Sequence, residues 1–302
     1  LTFSGSLRAT IATEAVQFIF FCLLIPSLLL AAVYFSPISL AEHAAKAAEL
    51  TSSGFNSMSG LALFGVAISF LLGEVLLPPY ANRALAAKSS KASVTGFVLA
   101  GGFTIVWLGI VAVLGVLAHA ALPAGTIGDD AFIAMGKVIL PAGLYGALLA
   151  AVVAIVMSSQ ESVLNSGAVA FVRDIVGVFK PSKDSSSLMM ARMATLGIAA
   201  AAIYLASFAP SIIDGLLILY SIWAPTMLIP LIAVLFGWRT TPAAGVLAIL
   251  AGGLSSVVWQ TALHEPRGIP AILVGLAAAA IGFAAGQAIG RPRSSQPLAE
   301  LS

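Results

Sequence analysis

The chain has 302 residues, of which 60% are apolar and 9% charged, with a formal charge of +2; an ordinary soluble domain has roughly 45–50% apolar and about 25% charged residues. These figures exclude a soluble fold and mark an integral membrane protein. The basic residues are scattered among loops instead of gathered in a patch, so no nucleic-acid partner is implied and the lipid bilayer is the expected surrounding.

With 28 Gly, 15 Pro and repeated apolar runs near the ~18–20 residues that a helix needs to cross ~30 Å of hydrocarbon, the class is all-α and not a barrel. The chain opens at Leu1 with "LTFSGSLRATIATEAVQ", which lacks a signal-peptide pattern, and is read as N-terminally truncated. Eight spans are expected, in chain order at about 9–34, 58–82, 94–121, 141–170, 189–210, 213–237, 242–263 and 269–290, forming a single membrane domain over 1–302. The single cysteine, Cys22, lies in the first span and reads as a small buried hydrophobe that can form no disulfide within the chain.

The loops carry the charge, and the positive-inside rule orients the spans. With both ends cytoplasmic, eleven of the fourteen Lys and Arg fall on the cytoplasmic side, and only Lys46, Lys137 and Arg267 on the other. A multi-pass protein of the plasma membrane with cytoplasmic termini is therefore expected. His43, His119 and His264 sit at non-cytoplasmic span ends without metal-ligand spacing and are expected to be solvated.

The fourth span turns polar at "MSSQESVLNSG", residues 157–167. At ~100° per residue Ser158, Ser162 and Asn165 fall within about 60° of one another, with Ser159 and Ser166 on the flank. The carbonyl of Ile155 projects from the turn above, so Ile155, Ser158 and Ser159 offer half a cage of neutral oxygens, a donor set that a small hard cation accepts. Serines in membrane helices also bond back to the i−4 carbonyl or let helices pack closely, so spacing alone leaves both readings open.

The flanks add to this. Residues 140–179, "LPAGLYGALLAAVVAIVMSSQESVLNSGAVAFVRDIVGVF", resemble the most recognisable segment of the sodium:solute symporter family, with Met157, Ser158, Ser159, Ser162, Asn165, Ser166, Asp174 and Ile175 at the matching places. "GEVLLPPYANRALAAKSS" at 73–90 is similar to the family's helix end and following cytoplasmic loop, and "GSLRATIATEAVQ" at 5–17 to the opening of its fifth core helix.

The resemblance implies a leucine-transporter-type fold of two inverted five-helix repeats. Residues 9–34 would then be the last helix of the first repeat, 58–237 the complete second repeat, and 242–290 two additional C-terminal helices, with the first four core helices absent. It also implies Na+ as coupling ion, held in part by the Ile155 carbonyl and the Ser158 and Ser159 hydroxyls, and symport of a small organic solute by alternating access. Tyr220 and Trp223 lie where the family's tenth core helix lines the substrate pocket.

Glu74, beside Gly73 and ahead of Pro78 and Pro79, is a carboxylate within an apolar run and must face a partner or a watery cavity. The two prolines remove backbone donors, so an interrupted helix is expected there. A substrate amine, a coupling proton or a structural partner for Glu74 all remain open, which keeps proton-coupled transport as an alternative. Glu14 stands at the place of a family Asp near the cytoplasmic mouth and, with Arg8 close by, reads as interfacial. A transporter-like sensor module is a further alternative. No enzyme pattern such as a Gly-x-Ser-x-Gly elbow or a His-Glu metal motif appears.

Overall fold

The computed structural model describes residues 7–35, 39–53, 58–123, 125–179 and 184–290. Among the described residues every regular element is helical: α1 (Leu7–Phe35), α2 (Leu40–Ser53), α3 (Gly60–Val75), α4 (Pro78–Leu85), α5 (Ser90–Ala121), α6 (Ala131–Ile139), α7 (Ala142–Ala170), a single turn α8 (Gly177–Phe179), α9 (Asp184–Ala206), α10 (Ile212–Leu235), α11 (Pro242–Val257) and α12 (Ala271–Ile289). Seven helical stretches among the described residues are long and apolar enough to cross a membrane, and the broken pair α3 and α4 makes an eighth if taken as one span. The all-α reading with about eight spans holds.

Several helix starts are written by capping residues. Ser59, Ser89, Ser211 and Thr241 each accept a hydrogen bond from the backbone N–H three residues on, at 3.1–3.2 Å. Each cap satisfies one of the donors a helix leaves orphaned at its first turn. The expected interruption of the second span is present: α3 ends at Val75 and α4 begins at Pro78. Leu77 N–H turns back to the Glu74 carbonyl at 3.1 Å and Tyr80 N–H to the Leu77 carbonyl at 3.1 Å, the tighter pattern forced by two residues without N–H groups.

Besides the single turn α8, two helices fall outside the expected spans. α2 has 14 residues with a polar face, and α6 has nine, too few to cross a bilayer. Both lie between apolar runs, where a search for spans reads only charged or short segments.

The chain forms two compact units, residues 1–55 with 81–208, and residues 56–80 with 209–302. In the first, α1, α5, α6 and α7 share a core of Ile25, Leu28, Leu114, Leu117, Met135 and Leu148. Trp107 stacks on Phe103 at 5.3 Å and meets Phe21 at 4.4 Å. α2 is tied to this unit by Lys46, whose Nζ donates to the Ala120 carbonyl at 2.7 Å, a cation placed on the C-terminal turn of α5. His43, on the same helix, is 4% exposed. That corrects its reading as solvated: an amphipathic helix has a buried face, and His43 lies on it, while His119 and His264 are exposed.

In the second unit α10, α11 and α12 pack together and α10 packs on α3. The α11–α12 seam is made of small residues, because without Cβ atoms the backbones approach closely enough for dispersion to hold them. A Cβ on Gly282 would lie 2.5 Å from the Leu247 carbonyl oxygen, and one on Gly286 2.4 Å from the Ala244 Cα.

Candidate functional site

Ile155, Ser158 and Ser159 lie on α7 in the first unit and line a cavity of about 520 Å3 together with Glu14, Gln17 and Arg83. The stripe of small polar residues below them is already occupied. Ser162 Oγ donates to Glu14 Oε1 at 2.8 Å, Ser166 Oγ donates to the Ser162 carbonyl at 2.9 Å, and Asn82 Nδ2 donates to Ser166 Oγ at 3.1 Å. Ser166 thus makes the i−4 bond that small hydroxyls commonly make in apolar helices. The hydroxyls of Ser158 and Ser159 have no hydrogen-bond partner among the described residues. Within one stripe, the two serines that face the cavity have no partner among the described residues, whereas Ser162 and Ser166 beyond them are satisfied.

Glu14 is part of the same wall. Its carboxylate accepts two bonds from Arg83 Nη2, at 3.1 and 3.2 Å, besides the one from Ser162. The ion pair is 56% exposed on the arginine and 23% on the glutamate, so it is a partly solvated pair whose net contribution is modest. The side chain of Arg8, close to Glu14 in sequence, lies outside the described side chains. The partner found, Arg83, is 69 residues away, and no local pattern announces it. Asn165, on the predicted polar face, is exposed.

The second group of predicted residues gathers in the second unit, around the break between α3 and α4. Tyr220 on α10 is 4% exposed and its hydroxyl donates to Glu74 Oε2, while the Tyr80 hydroxyl donates to Glu74 Oε1 at 2.5 Å. Gly73 allows this approach: a Cβ there would sit 2.2 Å from Tyr220 Cγ. Trp223, one turn along α10, donates Nε1–H to the Leu76 carbonyl at 3.3 Å, satisfying an acceptor at the break. Gly73, Glu74, Tyr220 and Trp223 therefore meet. Tyr80 completes the set and was not singled out as a partner; the signal available was its place one residue beyond the prolines that turn the chain back toward Glu74.

Chemically the two places differ. The α7 wall offers a carbonyl and two free hydroxyls with a carboxylate close by, which suits a cation. At the helix break the carboxylate is held by two hydroxyl donors. Among the described residues no group of three or more His, Cys, Asp or Glu could hold a metal ion.

A family model described as "Sodium:solute symporter family" matches residues 1–262. No curated protein and no solved structure matches the chain.

Proposed function

Because the chain belongs to the sodium:solute symporter family, a family of membrane transporters, we propose that it takes part in sodium-coupled symport of a small organic solute by alternating access, with the Ile155 carbonyl and the Ser158 and Ser159 hydroxyls as sodium ligands. The observation that carries this reading is the contrast along α7: Ser162 and Ser166 are hydrogen-bonded, whereas Ser158 and Ser159 border a cavity and have no partner among the described residues. Neutral oxygens hold sodium loosely enough for release, and an ion bound at a seam between moving elements favours one state only by its differential affinity. On the same reading residues 58–237 make up the second inverted repeat, residues 9–34 close the first, 242–290 add two helices, and both termini are cytoplasmic.

Proton coupling through Glu74 is the weaker reading. Two hydroxyl donors already satisfy this carboxylate, which supports a role in holding the helix break to α10. A solute then meets the protein near Gly73, Tyr220 and Trp223, with Glu74 as a fixed acceptor behind them.

The test is binding of radioactive sodium to the purified protein, followed by sodium-gradient flux in proteoliposomes. Ser158→Ala with Ser159→Ala is expected to abolish saturable sodium binding, and Glu74→Gln to leave it in place. Sodium binding indifferent to both serines, with flux following a proton gradient and lost in Glu74→Gln, would overturn the sodium assignment.

A further inference from the structure

The second unit contains another cavity, of about 450 Å3, bordered by α3, α10, the end of α11 and the segment leading into α12. It shares no residue with the α7 wall and does not include Gly73, Glu74, Tyr220 or Trp223. Its volume lies within the ~300–1,000 Å3 of small-molecule sites. The walls are largely apolar, with Val66, Ile218 and Ile272 among them, and the polar groups that face it are almost all acceptors.

Two are carboxylates. Asp214 Oδ2 accepts from Ser211 Oγ at 2.7 Å and Glu265 Oε1 accepts from Ala271 N–H at 2.8 Å; the second oxygen of each has no partner among the described residues. A third acceptor is Gln260, whose side-chain oxygen accepts from Ser221 Oγ at 2.7 Å, the same hydroxyl lying 2.8 Å from the Ile218 carbonyl. An amide oxygen has two lone pairs, so one is left for a ligand.

The fourth group points to a ligand independently of the acids. Ser69 is 4% exposed, lines the cavity, and its hydroxyl has no partner among the described residues. The oxygen is not sealed inside the protein but opens to the cavity, so the cavity is where it meets a partner. No lysine or arginine lines the cavity; Arg267, on the neighbouring segment, is exposed.

The backbone here is unusual as well. Gln260 lies in a π-helical turn, Val258–Ala262, and three non-glycine residues of the following loop, His264, Glu265 and Arg267, have φ of 53°, 51° and 59°. Such turns and left-handed residues collect at functional sites. The loop is tied down by Trp259, whose Nε1 donates to the Ile269 carbonyl at 2.9 Å, so the acceptors are held in place before a ligand arrives.

We propose that this cavity is a binding site for a small primary ammonium compound with a short apolar body. An R–NH3+ group carries three donors and a charge, matching two carboxylate oxygens and the Gln260 carbonyl, with Ser69 able to accept as well. The apolar walls take the hydrocarbon. A metal ion fits less well, because the acids are two and the volume is that of an organic molecule.

The test is calorimetric titration of the purified protein in nanodiscs with n-butylammonium, in sodium-free potassium buffer so that the result is independent of the sodium assignment. n-Butanol and butyrate serve as the uncharged and the anionic comparison. Saturable binding of n-butylammonium alone is expected, weakened at least about tenfold by Glu265→Gln, the size of one lost charge-assisted hydrogen bond. Glu265→Gln keeps an oxygen for Ala271 N–H, so the loop is retained, and Asp214→Asn and Ser69→Ala are expected to weaken binding from the opposite wall. Equal uptake of butanol and butylammonium, binding unchanged in all three variants, or displacement by millimolar magnesium would each overturn the proposal.

Discussion

Gly73→Ala tests the packing at the helix break with one carbon atom. The added Cβ would lie 2.2, 2.4 and 2.5 Å from Tyr220 Cγ, Cδ1 and Cβ, against the ~3.5–4.0 Å of a comfortable carbon contact. The ring is 4% exposed and packs edge-on against Phe70 at 5.6 Å, so it can retreat only by giving up its bond to Glu74. Overpacking of this kind costs about 1–3 kcal/mol, and a lost hydrogen bond to a charged group about 1.5–3 kcal/mol. Alanine returns about 1 kcal/mol of helix propensity, which leaves a net loss of about 1.5–5 kcal/mol. Thermal melting of the purified protein should fall by at least about 3 °C at roughly 2 °C per kcal/mol. Gly60→Ala, where the new Cβ meets nothing within 4 Å, should show no fall. A Gly73→Ala protein that melts with the wild type would refute the packing described for Tyr220, and so would an equal fall in Gly60→Ala.

Thr241→Val removes a buried cap that accepts from Ala244 N–H at 3.1 Å and donates to the Gly286 carbonyl at 2.9 Å; a loss of about 1–2 kcal/mol is expected in the same melt. Gly286→Ala sets a Cβ 2.4 Å from the Ala244 Cα, backbone that cannot rotate away, so a loss at or above the upper end of about 1–3 kcal/mol is expected, read as earlier melting and faster proteolysis between α11 and α12. Glu42 has its carboxyl held below the ordinary glutamate range by the backbone N–H and then the hydroxyl of Ser39. Its stabilising effect is therefore complete above the unfolded glutamate pKa and fades as pH falls through the lower folded value. A carboxyl-carbon NMR titration should place the Glu42 midpoint below that of an unpaired glutamate and move it upward, only part of the way, in Ser39→Ala, which keeps the backbone N–H.

What the sequence revealed follows from the range of each interaction. Spans are set by runs of side chains against a fixed hydrocarbon thickness, so α1, α5, α7, α9, α10, α11 and α12 were legible within a few residues. The break between Val75 and Pro78 was legible because two missing N–H groups act where they stand. Ser158 and Ser159 could be placed on one polar stripe by helical periodicity alone, but their contrast with Ser162 could not, since it depends on Glu14 accepting from Ser162 across 148 residues. Glu74 was recognisable as needing a partner without revealing that two tyrosines supply it. Gln260 and Ser69 carried no signal at all, being ordinary polar residues within apolar runs whose importance comes from a cavity. α2 escaped because its stabilisation is local, a capping box between Ser39 and Glu42, and not a matter of hydropathy.

Glu14 and Glu74 meet the same difficulty, a carboxylate within an apolar chain, in different ways, and the difference can be measured. Glu14 takes a guanidinium and a hydroxyl, whereas Glu74 takes two phenols and, among the described residues, no cation. A carboxylate held by neutral donors depends on all of them, because nothing else offsets its desolvation. Glu74→Gln keeps one oxygen acceptor and presents an NH2 group to the other phenol, which can accept, so both contacts survive in weakened form and a loss under about 1.5 kcal/mol is expected. Tyr80→Phe with Tyr220→Phe leaves the charge in place and removes both donors, and the expected loss is about 3 kcal/mol or more. The acceptor's removal should thus be milder than the loss of its donors, in melting of each variant at neutral pH. The reverse order would mean that the tyrosines are held by packing alone and that Glu74 is stabilised by something other than their hydroxyls.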